Sequence, residues 1–115
     1  MEKTLTIDGR PVEFKSTAAF LMRYKQQFRR DALQDILKLQ EAFTEGTAEI
    51  KNLEAFDLEV FFNIAWALAK TADRTIPNPM DWLDTFSEFP IADIMPELLD
   101  MALASINSTT VPKKK

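Results

Sequence analysis

Asp81 and Asp84 lie three residues apart in PMDWLD, which places two carboxylates on one helix face. Their mutual repulsion there can raise one pKa and suit that group to acid–base work. Glu54 and Asp57 repeat the spacing. Both pairs fall at helix starts, where acidic residues complement the positive end of the helix dipole, so each has a structural explanation without catalysis. The chain has no histidine and no cysteine. That removes the commonest zinc ligands, the usual general base at neutral pH, and the Ser-His and Cys-His nucleophile pairs. No catalytic, cofactor-binding or metal-ligating residue is therefore assigned, no cofactor is expected, and the chain reads as a non-enzyme.

Binding chemistry has three candidate locations. The first is the basic cluster Arg23, Lys25, Arg29 and Arg30, interleaved with Tyr24 and Phe28. Such a pattern suits a single nucleic-acid strand if the rings face outward. Tyr24 and Phe28 also belong to an apolar stripe, so a solvated basic face, or one paired with the chain's own acids, is the favoured reading and nucleic acid an unlikely partner. The second is Trp82, Phe86 and Phe89, with Met80 and Met95 near in sequence. These residues can clamp a short helix to the core, offer an adaptable apolar surface to a partner, or do both, with part of the cluster buried and part exposed.

The third is the opening stretch TLTIDGRPVEF. Thr4, Leu5, Thr6 and Ile7 alternate in polarity, Asp8-Gly9 marks a two-residue turn, and Val12 and Phe14 resume the alternation: a β-hairpin over 4–15. An isolated hairpin is marginal in water, so its apolar face must pack on helices. Its outer edge keeps unpaired backbone groups, which can accept a strand from another copy or a client and support a weak homo-oligomer.

The elements that carry these residues are mainly helical. Ser16 is the expected N-cap of a long helix whose stripe Leu21, Tyr24, Phe28, Ala32, Ile36, Leu39 and Phe43 steps by three or four. TEGTAEIKN (44–52) interrupts it, and Asn52 is the expected cap of a helix from Leu53 to about Ala72, apolar nearly all round and thus central. Asn78-Pro79 predicts a short helix over 79–87. A last helix is expected from Asp93 or Ile94, which keeps Pro96 in its first turn, to Asn107. The fold expected is mainly α: a small bundle of four to five helices with an N-terminal β-hairpin. Residues 1–107 form one domain and 108–115 a flexible polar and basic tail.

At 115 residues and 46% hydrophobic, the chain suffices for one modest core. Net charge is −4, and the rest of the chain is more acidic still once Lys113, Lys114 and Lys115 are set aside. An acidic body is a poor generic partner for phosphate backbones. The most apolar run, LEVFFNIAWALA (58–69), is short and interrupted by Glu59 and Asn63, so no membrane span is expected. With no leader pattern at the N-terminus, the expected location is the cytoplasm.

Three stretches together resemble the tail assembly chaperones of long-tailed phages and prophages of Gram-positive bacteria. They are TLTIDGRPVEFK with the helix after it, VFFNIAWALAKTADRTIPNPMDWLDTF (60–86) and EFPIADIMPELLDMAL. The resemblance covers most of residues 3–106 and is most specific in IAWALAKTAD followed by IPNPMDWLD. It implies a protein of the bacterial host cytoplasm that binds the tape measure protein, keeps it soluble and helps bring tail tube subunits onto it. It also implies a ribosomal frameshift near the end of the reading frame, with Lys113 to Lys115 encoded by an adenine-rich run. The alternative is a small nucleic-acid-associated or regulatory phage protein that uses the basic face of residues 23–30. The resemblance carries no residue-level client site, so Trp82, Phe86, Phe89, Met80 and Met95 are candidate partner contacts on their own chemistry. Thr4, Leu5, Thr6, Ile7, Val12 and Phe14 are candidate edge residues on the same footing.

Overall fold

The turn residues Asp8 and Gly9 both adopt positive φ, 55° and 78°, the combination that turns a hairpin with the right-handed twist of its strands. In the computed structural model, which describes residues 1–41 and 57–110, the turn joins β1 (Glu2–Ile7) to β2 (Arg10–Lys15). Leu5 stands opposite Val12, Ile7 opposite Arg10 and Lys3 opposite Phe14. These six side chains share one face. Ile7 and Phe14 are fully buried on it, and Leu5 and Val12 pack at the margin of the core. The hairpin therefore buries one face, as its alternation requires.

Five helices follow among the described residues: α1 (Ala18–Phe28), α2 (Ala32–Glu41), α3 (Leu58–Ala72), α4 (Pro79–Asp84) and α5 (Ile91–Thr110). The mainly α architecture with an N-terminal β-hairpin is as expected. Helix α3 is the centre. Val60, Phe61 and Asn63 through Ala69 are all buried, and β2, α1, α2, α4 and α5 pack around it. A helix enclosed on so many sides has no polar face to display, which accounts for its nearly continuous apolar sequence.

Several boundaries differ from the sequence-based expectations. The long first helix is two helices. Thr17, not Ser16, is the N-cap of α1, its hydroxyl accepting from the Ala19 N–H, while buried Ser16 extends the hairpin ladder to Met1. Helix α1 ends at Arg29, held in the left-handed region at φ 59°, and Asp31 accepts from the Leu33 N–H at the start of α2. An Asp at a break without Gly or Pro was the only local signal, and the in-phase stripe masked it.

Helix α3 begins at Leu58 with Asp57 as its cap, accepting from Glu59 and Val60, rather than at Leu53. Asn52, Leu53, Glu54 and Phe43 lie outside the described residues, as does the tail from Val111. Helix α4 stops at Asp84, short of Ser87. Helix α5 starts earlier, at Ile91, so Pro96 falls in its second turn and one intrahelical bond to Ala92 is lost. Ala92 and Pro96 are both exposed, so water can satisfy that carbonyl. The same helix continues to Thr110, beyond Asn107.

Candidate partner-binding groove

Between β2, the end of α3 and α4 lies an open groove of about 350 Å³. Trp82 and Phe86 form part of its lining, with Pro11, Val12, Ile76 and Pro77, while Arg10, Glu13, Asp73 and Thr85 contribute polar groups. The loop on one side is tied down. The Trp66 indole N–H donates to the Pro77 carbonyl at 2.9 Å, and the Lys70 ammonium donates to the carbonyls of Arg74 and Ile76 at 2.7 and 2.6 Å. Asp73 accepts from the hydroxyl and N–H of Thr75, which hold its carboxyl below the usual range. On the other side the hairpin tip is fastened to the segment after α4. Asp8 accepts from the Ser87 N–H at 2.8 Å, Arg10 donates to Thr85, and the Arg10 guanidinium lies 4.1 Å from the Phe86 ring centre. The groove is thus held by bonds on both flanks, a preformed site of mixed apolar and polar lining.

The aromatic candidates divide. Trp82 and Met95 are core residues, 4% and 1% exposed; Trp82 shows the groove only an edge, and Met95 does not line it. Trp82 packs edge-on against Phe86 and Phe89 at 5.1 and 5.9 Å, and Phe89 reaches Phe61 and Phe62 on α3. Trp82 and Phe89 clamp the short helix to the core, while part of the cluster remains at the surface. Phe86 and Phe89 are half-buried, and Met80, 68% exposed, stands on the outside of α4. Pro11, Ile76 and Pro77 were not singled out as binding residues, because the groove gathers them from segments far apart in sequence.

The remaining candidates have structural partners. Asn78 caps α4 by accepting from the Asp81 N–H and donating to its carboxylate, the helix-start role expected of Asp81. Asp84 is exposed. No group of three or more acidic, His or Cys side chains capable of holding a metal ion occurs among the described residues. In the basic cluster, Tyr24 is buried and Phe28 packs on Trp66 at 5.7 Å, so the rings face inward. Arg23 donates to the Thr71 hydroxyl. Arg30 grips buried Asp35 with Nε and Nη2 at 2.7 and 2.9 Å, and the Tyr24 hydroxyl donates to the same carboxylate at 2.8 Å. Two of the four cations thus serve internal contacts.

Burial pushes the Tyr24 hydroxyl pKa up, and the hydrogen bond to Asp35 adds to it. Burial opposes ionisation of Asp35, but the hydrogen bonds from Arg30 and Tyr24 outweigh it and hold this carboxyl below its usual range. Arg30 is correspondingly raised by Asp35.

At the hairpin, Met1 and Ser16 exchange both backbone bonds, which fixes the ladder's alternation. Pairs 3/14, 5/12 and 7/10 then bond inward, leaving the N–H and C=O of Glu2, Thr4 and Thr6 on the outer edge of β1. Of the proposed edge residues, Thr4 and Thr6 fit the role. Ile7 and Phe14 are core, and Leu5 and Val12 face it. If this edge pairs copies weakly, Thr6→Pro, which removes an outward donor and no inner one, should lower the concentration-dependent mass seen by light scattering. A wild-type protein that stays strictly monomeric at millimolar concentration would exclude edge pairing.

No helix among the described residues is long and apolar enough to cross a membrane. Comparison of the chain with family models, curated proteins and solved structures found no match.

Proposed function

We propose that this protein is a tail assembly chaperone of a long-tailed phage or prophage. In this reading it binds the tape measure protein in the host cytoplasm, keeps it soluble, and helps recruit tail tube subunits. The observation that carries the reading is the preformed groove between β2, α3 and α4, a seat on an acidic chain in which apolar side chains alternate with charged ones. It suits a client that would aggregate through its apolar side chains, because the client is held by burial while the acidic surface keeps the complex dispersed. The resemblance of residues 60–86 and 88–103 to this class points the same way, and the first of these stretches contributes Ala69, Asp73, Ile76, Pro77, Trp82, Thr85 and Phe86 to the groove.

Deleting the gene from its phage tests the role. Lysates should then contain heads without tails, restored when the chain is supplied from a plasmid, whereas normal tails in the deletion would overturn the proposal. The seat has its own test. Ile76→Asp puts a charge in the groove wall, at a half-buried loop position, and should weaken client binding about tenfold or more, as loss of an interface anchor does. Undiminished binding by the folded variant would place the client elsewhere.

A further inference from the structure

The apolar stripe of the first helical region keeps its period across a break. Tyr24, Phe28, Ala32 and Ile36 are spaced by four throughout, yet the chain turns between Phe28 and Ala32. The hinge Arg29-Arg30-Asp31 contains neither Gly nor Pro, and Arg29 occupies the left-handed region at φ 59°, which disfavours a residue with a Cβ. Helical bonding reaches the hinge from both sides: the Arg29 N–H still donates to the Lys25 carbonyl, and the Asp35 N–H to the Asp31 carbonyl. A straight helix over 18–41 would give the N–H groups of residues 30–34 partners four residues back and release the Arg29 strain.

The bend is held by tertiary contacts. The hairpin and α1 pack on α3 and α5 on one side of the hinge, and α2 packs on the same two helices on the other. The Tyr24–Asp35–Arg30 cluster closes across it. One copy cannot straighten without opening this shared core. Two copies can, if each lends its hairpin and α1 to the other, because the contacts of residues 1–28 are then remade between chains and only the Arg30–Asp35 pair within each hinge is given up.

We infer that the chain forms a domain-swapped dimer with a second copy of itself, exchanging residues 1–28 by straightening the hinge at residues 29–31. A short strained hinge in otherwise helix-compatible sequence favours such exchange, since the swapped and closed forms share their interfaces and differ mainly at the hinge. Tyr24 of each copy would then meet Asp35 of the other. This inference is independent of the proposed function.

Exchange requires partial unfolding, so the test refolds the whole chain from denaturant at millimolar and micromolar concentration and measures mass by light scattering after size exclusion. The dimer should form at the higher concentration and persist for hours after dilution, unlike an edge-paired dimer. It should also survive Thr6→Pro. Two exposed hinge positions give opposite shifts. Arg29→Gly relaxes the closed form and weakens the straight helix, and should cost about tenfold per hinge, or about a hundredfold in the dimer dissociation constant. Asp31→Ala removes the α2 cap and favours the straight helix, and should increase the dimer yield. A monomer at every concentration in both wild type and Asp31→Ala overturns the inference, as does a dimer indifferent to Arg29→Gly.

Discussion

Trp82→Ala should destabilise the fold by about 3–5 kcal/mol, the range for truncating a large buried aromatic. Trp82 is 4% exposed and packs on Phe86 and Phe89, the latter reaching Phe61 and Phe62 on α3, so its loss leaves a cavity beside two rings of that cluster. Against a typical total stability of about 5–15 kcal/mol this is a large fraction, equivalent to a fall in melting temperature of about 10–20 °C for a chain of this size. Chemical denaturation read by circular dichroism measures it, and a loss under about 1 kcal/mol would mean that the clamp is not carried by Trp82. The same burial makes this variant unsuitable for locating the client, since weaker binding would follow from unfolding alone.

Asp35→Ala is also expected to be damaging, at about 1–3 kcal/mol, the range for depriving a buried hydroxyl of its partner while the exposed Arg30 returns to water. It strands the buried Tyr24 hydroxyl and unpairs Arg30 at the joint between α1 and α2. The carboxylate also gives the fold a pH dependence. Its folded pKa is lowered from the ordinary value of 3.8, so its stabilising contribution is complete above that value and is lost as pH falls through the lower folded one. Asp35→Asn should therefore be less stable than wild type at pH 7 and lose less of its stability between about pH 5 and pH 2. Parallel pH profiles for the two proteins would show that Asp35 does not carry the linkage.

Elements with their own local grammar were readable in the sequence. The hairpin announced itself through strict alternation around Asp8-Gly9, and α3 through an apolar composition too complete for a surface helix. Asn78-Pro79 marked α4 because a cap and a first-turn proline act within a few residues. The division of α1 from α2 was hidden, since the break depends on Asp35 reaching back to Tyr24 and Arg30, a tertiary arrangement that leaves the stripe in phase.

The site was legible only in part. Phe86 was named, but whether Trp82 faces solvent or core is decided by what packs over it, and periodicity in a six-residue helix does not specify that. The groove draws on residues 10–13, 69–77 and 82–86, which only the folded chain brings together.

The most direct test of the proposed role is to co-express the chain with the tape measure protein of the same phage and follow that client through centrifugation and size exclusion. The client, insoluble alone, should move to the supernatant and co-elute with this chain, and Ile76→Asp should return most of it to the pellet. A client equally insoluble with and without the chain, or soluble but never co-eluting with it, would rule out a chaperone role toward the tape measure protein.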